Sequence, residues 1–319
     1  VNMLSFGIVV PLLPYIAGRT GASEFQIGLL VAAYPLAQLV GAPMLGRLSD
    51  RFGRKPVLLI SILGTALGFV VLALARSLPL LFASRLLDGI TGGNINVAQA
   101  YISDVTEREE RGRALGLIGA AFGLGFVIGP VTGGLLSDIG YSVPAWVGAA
   151  LAGANIVFVA AFLPESLSAE ARERLAGLKR KIFDFEGFRH ALGHARVGPI
   201  LTVRAVTGVS FALFETMFAL WAIAALSYDA RTTGLFLGYV GVLSVLVQGV
   251  LIGQLTKRFS DDSLLLASVA LAGASLAVWG FVTSTWQLVV LVVPLSLGLA
   301  IGQTVMTSAL SKAVGRDEV

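Results

Sequence analysis

The 319-residue sequence has no cysteine and few charged residues. Without cysteine, these residues form no disulfide bond, thiolate nucleophile or cysteine-ligated metal site. Charged residues make up 13% of the sequence, about half the share in an ordinary soluble domain. Hydrophobic residues make up 56%, and the mean hydropathy is +0.85. This balance excludes a soluble enzyme, a disordered tail and a nucleic-acid-binding domain, and it predicts a polytopic membrane protein.

Ten apolar segments follow one another along the chain, and we number them spans 1 to 10. Each is close to the length of about 20 residues that a membrane-spanning helix needs. Their Leu, Ala, Val and Gly content predicts helices, because the strands of a membrane barrel are shorter and alternate. The predicted fold class is therefore all-α. The spans cover residues 1–18, 25–46, 56–75, 79–102, 114–137, 143–163, 199–226, 233–256, 264–283 and 286–309.

Lys and Arg are divided unequally between the two sides of the predicted membrane. With a cytoplasmic N-terminus, eighteen of them fall in inner loops and three, Arg19, Arg76 and Arg231, in outer loops. Basic loops remain on the cytoplasmic side of membranes. We therefore expect a multi-pass protein of the plasma or inner membrane, with the N-terminus and the central loop in the cytoplasm.

A single long polar loop divides the spans into six and four. The segment Gly46-Arg-Leu-Ser-Asp-Arg-Phe52, after span 2, recurs weakly as Gly253-Gln-Leu-Thr-Lys-Arg-Phe259, after span 8. Parallel repeats of this kind build secondary transporters. The sequence predicts an N-terminal six-helix half over residues 1–163, a cytoplasmic linker over 164–198 and a C-terminal half over 199–319.

Polar side chains in span 4 gather on one face of the predicted helix. On a continuous helix, with about 100° between residues, they share an arc of roughly 80°, while Asn94 falls on the opposite side. Such a narrow stripe predicts a cavity lining, since exposure of polar groups to lipid is costly. A purely structural pair between residues 85 and 88 is the alternative. The stripe contains Arg85, Asp88, Gly92, Asn96 and Gln99.

Glu215 in span 7 is an acid within a run of Phe, Leu, Ala and Met. Burial in such a run favours the neutral acid, so we predict that Glu215 is the main proton carrier and that Asp88 and Arg85 assist it. A Glu bonded to a neighbouring helix is the alternative. Phe211 shares the face of Glu215 and is a candidate for the substrate cavity. Further cavity candidates are the polar residues Gln38, Gln248 and Gln303.

Five motifs along the chain resemble those of one known family. The run Gly46–Pro56 resembles the loop 2–3 signature of the major facilitator superfamily, and Arg85-Leu-Leu-Asp88-Gly89 is similar to its span 4 motif. The run Gly125–Gly134 resembles the motif of its proton-coupled antiporters. The runs Gly7–Pro14 and Leu163–Ser166 also fit. Together they resemble the twelve-span drug:proton antiporters, and most of all the tetracycline-efflux-like proteins.

This resemblance implies a major facilitator fold with ten of twelve helices present. The start of span 1 and spans 11 and 12 are expected to lie outside this sequence. It also implies a gating loop after span 2, in which glycines permit a tight turn. In span 5 it implies a bend between the halves that blocks leak, with static helix packing as the alternative. The gating loop contains Gly46, Asp50, Arg51, Gly53 and Arg54, and the antiporter motif contains Gly125, Gly129, Pro130, Gly133 and Gly134.

Three departures from the family argue against tetracycline exchange. Asn2 stands where tetracycline pumps carry an acid in span 1, and Gly68 replaces their acid in span 3. Span 9 contains no acid between residues 264 and 283. The transporter frame is therefore expected to work with different acids.

The resulting hypothesis is proton-coupled efflux of drugs or other small amphipathic molecules by alternating access. A facilitator or proton symporter of a metabolite, such as a sugar or an organic acid, is the first alternative. A membrane scaffold or sensor that transports nothing is the second. We expect a monomer in the lipid bilayer that binds a small-molecule substrate and protons. We expect no cofactor, no metal, no nucleic acid and no enzyme activity.

Overall fold

The structure is a computed structural model, and it describes residues 2–107, 110–176, 185–194 and 197–313. Within these ranges, some helical side chains lie outside the described part: those of residues 2, 111–113, 115–116, 175–176, 185, 187–188, 191, 200, 204, 207, 210–216 and 307–313. Every regular element in the described ranges is helical. The α-helices are α1 (Asn2–Val9), α2 (Leu13–Gly18), α3 (Glu24–Phe52), α4 (Arg54–Leu74), α5 (Leu78–Thr91), α6 (Asn94–Val105), α7 (Arg111–Ser137), α8 (Val143–Phe162), α9 (Ala169–Ala176), α10 (Phe185–Gly193), α11 (Val197–Leu226), α12 (Ala230–Leu246), α13 (Ile252–Arg258), α14 (Asp261–Trp279) and α15 (Thr285–Ala313).

The ten predicted spans coincide with these helices, which confirms the all-α fold class. Among the described residues, seven helices are long and apolar enough to cross a membrane. Shorter apolar helices cover Met3–Gly18 and Met217–Leu226. The seven long helices are Glu24–Phe52, Arg54–Leu74, Leu117–Ser137, Val143–Phe162, Ala230–Arg258, Asp261–Trp279 and Thr285–Met306.

Three spans depart from a single continuous α-helix. Span 1 contains a 3₁₀ turn, Val10–Leu12, between α1 and α2, where Pro11 and Pro14 remove backbone donors. Span 8 contains a π turn, Val247–Leu251, between α12 and α13. Span 4 is broken between α5 and α6. The prediction of a continuous helix over residues 79–102 is therefore wrong.

Helices α3 and α4 are joined by the single residue Gly53. Helix α3 begins with a capping box, in which the Ser23 hydroxyl accepts from the Gln26 N–H and the Gln26 side chain accepts from the Ser23 N–H. Gly53 has a φ of +106°, a conformation that favours glycine. This tight connection fixes the end of α3 against the start of α4 and positions the loop after span 2.

Residues Val1–Phe183 and Asp229–Gly238 form one compact unit. In it, α1 packs against α7 and α8, α4 packs against α5 and α8, and α3 packs against α5. The start of α12 belongs to this unit as well. The packing of α4 and α5 brings charged residues of span 4 into the unit's interior.

Residues Asp184–Tyr228 and Tyr239–Val319 form a second compact unit. Helix α15 packs against α14 and α11, and α10 packs against α11. The rings of Trp221 and Trp279 lie 5.0 Å apart between centroids, and Phe218 packs against both. The division into two halves joined by a linker, with limits at residues 163 and 199, stays a prediction.

Candidate functional site

Helix α5 carries a buried ion pair between Arg85 and Asp88. Nη1 of Arg85 lies 3.4 Å from Oδ2 of Asp88, and the two side chains are 1% and 4% exposed. The residues are three apart, so one face of the helix presents both. Because removing one partner of a buried pair leaves an uncompensated charge, the charge on each residue depends on the other.

Few other groups stabilise the Arg85 guanidinium. Its Cζ lies 5.7 Å from the centroid of the Phe69 ring, which is a cation–π contact. Its Nε lies 3.5 Å from the Ser84 hydroxyl oxygen. Within the described part of the chain, neither Nη1 nor Nη2 has a hydrogen-bond acceptor. A guanidinium carries five N–H donors, so Arg85 depends mainly on Asp88.

Small residues on α4 let α5 approach closely. A Cβ added at Gly68 would lie 3.0 Å from Cβ of Asp88, and one added at Gly64 would collide with the Thr91 side chain. The Ser61 hydroxyl donates to the carbonyl of Thr91. Thr65 lies beside the Asp88 carboxylate. The absence of side chains at positions 64 and 68 therefore makes room for the ion pair.

Helix α3 supplies two polar side chains to the same region. Nε2 of Gln38 donates to the carbonyl of Gly92 at 2.9 Å and to the Tyr34 hydroxyl at 3.2 Å. The Tyr34 ring packs on Phe6 of α1, with 5.1 Å between centroids. Gln38, predicted to line a substrate cavity, thus reaches the point where span 4 is broken.

The break in span 4 changes which polar residues face Asp88. Gly92 and Gly93 separate α5 from α6. A helical wheel that assumes one continuous helix therefore gives wrong positions for the residues after the break. Asn94, placed opposite the stripe by that wheel, is buried at 7% exposure. Asn96 and Gln99 are exposed, so they do not lie with the ion pair.

A small cavity of about 20 Å³ lies beside Asp88. Its polar lining comes from Tyr34, Thr65, Asp88 and Asn94. Phe6, Phe69, Met3 and Gly92 complete the wall. A cavity of about 10–15 Å³ holds one water molecule if two to four polar groups surround it. The region can therefore hold a water molecule or a proton-carrying group, but not a drug-sized substrate.

The predicted gating loop forms a second polar cluster, where α3 ends and α4 begins. Arg54 is buried, and its Nη1 lies 2.7 Å from Oδ1 of Asp50 and 2.6 Å from the Ser49 hydroxyl. Its Nε donates to Oδ2 of Asp104 at the end of α6, at 3.1 Å. Oδ2 of Asp104 also accepts from the Ser166 hydroxyl. Asp50 of the predicted gating loop thus pairs with Arg54 of the same loop.

Glu165, which follows span 6, closes this cluster. Its carboxylate accepts hydrogen bonds from three backbone N–H groups, those of Arg54, Lys55 and Leu167. Burial raises the pKa of the Glu165 carboxyl, but these donors and the Arg172 guanidinium outweigh burial and hold that pKa below its ordinary value. The charge also lies at the N-terminus of α4, where the helix dipole favours an anion.

Glycine at position 53 is required for a second reason besides its φ. A Cβ there would collide with Oε2 of Glu165 and lie 2.9 Å from Nη2 of Arg172. The other two predicted members of the loop are less confined. A Cβ at Gly46 would meet no atom within 4 Å, and Arg51 is exposed, with its Cζ 5.2 Å from the Phe52 ring centroid.

The antiporter-motif glycines of α7 lie directly against α1. A Cβ at Gly129 would come within 2.7 Å of Cα and the carbonyl carbon of Gly7, and one at Gly125 within 2.9 Å of Met3. One at Gly133 would collide with the Ile8 carbonyl. Helix α7 remains continuous through Pro130. These glycines let two backbones touch.

The C-terminal part of α7 also meets the start of α12. A Cβ at Gly134 would lie 3.0 Å from the Arg231 carbonyl oxygen, and one at Gly234 would collide with the Pro130 carbonyl oxygen. Oδ2 of Asp138 lies 3.0 Å from Nη1 of Arg231. The antiporter motif therefore packs against two helices of the unit, α1 and the start of α12.

The family profile described as Major Facilitator Superfamily matches residues 1–319. The chain belongs to the major facilitator superfamily. This membership confirms the resemblance inferred from the motifs. It makes the chain a multi-pass membrane transporter of small molecules rather than an enzyme.

Relatives of the chain include proteins named for tetracycline resistance and multidrug resistance. The chain is 34% identical to the tetracycline resistance protein, class C, of Escherichia coli over 322 residues, which is 99% of this chain and 80% of the relative. It is 27% identical to multidrug resistance protein 2 of Bacillus subtilis (strain 168), covering 89% and 72%. The crystal structure of the human organic anion transporter MFSD10 (TETRAN) matches with a TM-score of 0.69 at 22% identity, covering 97% and 83%, which supports the fold.

The structure describes the predicted site residues of the second unit in less detail than those of the first. Glu215 and Phe211 lie on helix α11, and their side chains fall outside the described residues. Gln248 is exposed within the π turn of span 8, and Gln303 is exposed on α15. Their roles in proton coupling and substrate binding stay predictions.

Sequence reasoning gave no site role to four residues that the structure brings to the two clusters. Tyr34 and Thr65 line the cavity beside Asp88, and Asp104 and Glu165 hold Arg54. Tyr34 and Thr65 were detectable as polar groups one helical turn from Gln38 and near Gly68. Asp104 gave no local signal, and Glu165 was indicated only as part of the Leu163–Ser166 motif, because their contacts with Arg54 span 50 and 111 residues.

Proposed function

We propose that the chain is a proton-coupled antiporter that exports drugs or other small amphipathic molecules by alternating access. The observation that carries this proposal is the buried Arg85–Asp88 pair beside a polar cavity. Asp88 is the one buried carboxylate among the described side chains. Ionisable residues inside a membrane protein mark proton or substrate paths.

Proton uptake by Asp88 would act through Arg85. A neutral Asp88 no longer balances the guanidinium, whose Nη atoms find no other acceptor among the described residues. The two protonation states therefore favour different arrangements of α5, which is the bistable element that coupling requires. A proton moving down 100 mV supplies about 2.3 kcal/mol, enough for a roughly fiftyfold gradient of a neutral substrate.

Other predicted residues take secondary roles in this proposal. Glu215 is a second proton carrier, and its acid lies within an apolar run of α11. The remaining predicted cavity residues contribute to the substrate cavity together with Arg85. This set contains Gln38, Asn96, Gln99, Phe211, Gln248 and Gln303.

The cluster around Arg54 and the antiporter motif control the change between conformations. Arg54, held by Asp50 and Asp104, ties the loop after span 2 to the ends of spans 4 and 6. Close glycine contacts in α7 keep a tight, leak-free packing on α1. We propose a monomer in the plasma or inner membrane with a cytoplasmic N-terminus, on the basis of the Lys and Arg distribution.

Tetracycline itself is not proposed as the substrate. The relatives' names concern tetracycline and multidrug resistance, but Asn2 and Gly68 stand where acids are expected in tetracycline pumps. A Cβ at Gly68 would already touch Asp88. We therefore favour a substrate class defined by amphipathic character over one particular drug.

The test uses inverted vesicles that contain the full-length protein and have an acidified lumen. Addition of lipophilic cations and neutral drugs should release lumenal protons for some compounds. Asp88→Asn and Glu215→Gln should each reduce this release by at least tenfold, because a neutral amide cannot carry the proton. Asp138→Asn, a change in an exposed ion pair, is the matched control.

Either of two results would sink this proposal. One is the absence of proton release with every compound while the vesicles remain tight. The other is full release in both Asp88→Asn and Glu215→Gln. Uptake of a sugar or an organic acid together with protons would instead establish the metabolite symporter.

A further inference from the structure

The break between α5 and α6 is stabilised from both neighbouring helices. The carbonyl of Thr91 accepts from the Ser61 hydroxyl of α4, and that of Gly92 accepts from Gln38 of α3. In lipid, an unpaired backbone group costs several kcal/mol, so a break survives only where side chains satisfy it. Helices α3 and α4 supply those side chains here, so the break is a stabilised part of span 4.

The two glycines at the break are also fixed by contact with α3. A Cβ at Gly93 would lie 2.5 Å from Cα of Ala42, and one at Gly92 would lie 2.7 Å from the Tyr34 hydroxyl. Larger residues would push α3 and span 4 apart. Discontinuous transmembrane helices commonly place ion and substrate sites at their broken ends.

The groups around the cavity at this break have unused hydrogen-bonding capacity. The Tyr34 hydroxyl accepts from Gln38 and keeps its own proton for another acceptor. The Asn94 side chain, at the N-terminus of α6, is buried and lines the cavity. The Asp88 carboxylate can accept more hydrogen bonds than Thr65 and the long contact with Arg85 provide.

We propose that the break at Gly92–Gly93 is a water site that links Asp88 to Tyr34 and Asn94 and delivers protons to Asp88. The cavity of about 20 Å³ has room for one water molecule, with three or four polar partners. A proton passes from a hydronium at this site to Oδ of Asp88, leaving a neutral water molecule and a neutral carboxyl. Delivery of protons rests on the proposed function, whereas binding of water does not.

Binding of water is tested by a density map of the full-length protein at a resolution that shows ordered water. We expect one density peak within hydrogen-bond distance of the Asp88 carboxylate and of Tyr34 or Asn94. A cavity without such a peak, or one closed by Phe6 or Phe69, would overturn the proposal. This measurement needs no transport activity.

Delivery of protons is tested with Thr65→Val and Asn94→Leu, which keep side-chain size but remove polar groups. Proton release driven by an exported compound should slow about tenfold, the effect of one lost hydrogen bond to a charged group. Binding of that compound should stay within about twofold, because neither residue is exposed. Thr304→Val on α15, whose hydroxyl bonds Ala300 of its own helix, is the matched control.

The two proposals fail in different ways. If the wild type releases no protons with any compound, the antiport function fails, and the density map still decides the water site. If the wild type couples and Asp88→Asn abolishes coupling, but both cavity variants release protons at the wild-type rate, delivery through the break is wrong and antiport stands.

Discussion

At the residue scale, the buried Arg85–Asp88 pair has the largest energetic consequence. Removing one partner of a buried ion pair typically costs about 3–5 kcal/mol. Neutralising Asp88 with a proton is a milder version of the same change. The energy involved is comparable to the roughly 2.3 kcal/mol that one charge gains across 100 mV. In the proposed mechanism, a proton at Asp88 therefore biases the equilibrium between two arrangements of the transporter by an energy of this order.

Glu165 gives a pH-dependent prediction for the cluster around Arg54. Its pKa lies below the ordinary value, so its stabilising contribution is complete above about pH 4.3, the ordinary value for glutamate. The contribution is lost as the pH falls through the lower folded-state pKa. We expect the melting temperature of the wild type to drop more steeply than that of Glu165→Gln between about pH 5 and pH 3.

Thermal unfolding in detergent at a series of pH values measures this difference. Glu170→Gln is the control, because the Glu170 side chain is fully exposed and bonds only locally, although its pKa is lowered as well. Parallel pH profiles for the wild type and Glu165→Gln would contradict the role assigned to Glu165.

At the element scale, glycines decide how closely neighbouring helices approach. Helix α7 contacts α1 through Gly125, Gly129 and Gly133. Helix α5 contacts α3 through Gly89, where a Cβ would lie 2.5 Å from the Tyr34 carbonyl oxygen. Backbone atoms cannot move aside like flexible side chains, so substitutions at these positions separate whole helices.

Gly129→Ala tests this packing. The added Cβ would lie 2.7 Å from backbone atoms of Gly7, and such overpacking typically costs about 1–3 kcal/mol. The control is Gly119→Ala on the same helix, where a Cβ meets no atom within 4 Å. It should be neutral or stabilising by up to about 1 kcal/mol, because alanine favours helix.

Denaturation of the two variants in the same detergent provides the comparison. Equal stability of Gly129→Ala and Gly119→Ala would show that α1 and α7 are not in close backbone contact.

A second element-scale prediction concerns the start of α12. The Tyr15 hydroxyl lies 2.5 Å from Oγ1 of the buried Thr233 and donates to the Asp229 carbonyl at 3.1 Å. Tyr15→Phe removes both contacts, each worth about 1 kcal/mol. Amide hydrogen exchange over residues 230–234 should therefore accelerate about fivefold or more.

Tyr141→Phe is the control for this exchange experiment, because Tyr141 stacks on Tyr15 at 6.5 Å and can do so without its hydroxyl. If exchange at the start of α12 is the same in Tyr15→Phe and the wild type, Tyr15 does not hold this helix.

At the scale of the whole molecule, hydropathy predicted the ten spans because each is a long apolar run, and the structure places helices at each of them. The break in span 4 was not predicted, because a helical wheel assumes a continuous helix. Gly92 and Gly93 interrupt that helix. Asn94 was consequently placed on the wrong side. The cluster around Arg54 was predicted only in part, since Asp104 and Glu165 lie far away in sequence. Local patterns predict helices and their glycine faces, whereas contacts between distant segments require the fold.

The most direct measurement is made with the purified full-length protein in proteoliposomes, using a compound that the vesicle screen identifies. Asp88→Asn should still exchange labelled for unlabelled compound across the membrane, because exchange needs no net proton movement. It should not accumulate the compound when a pH gradient is imposed, whereas the wild type should do both. Accumulation by Asp88→Asn at the wild-type level would contradict the account of Asp88 as a proton-coupling residue.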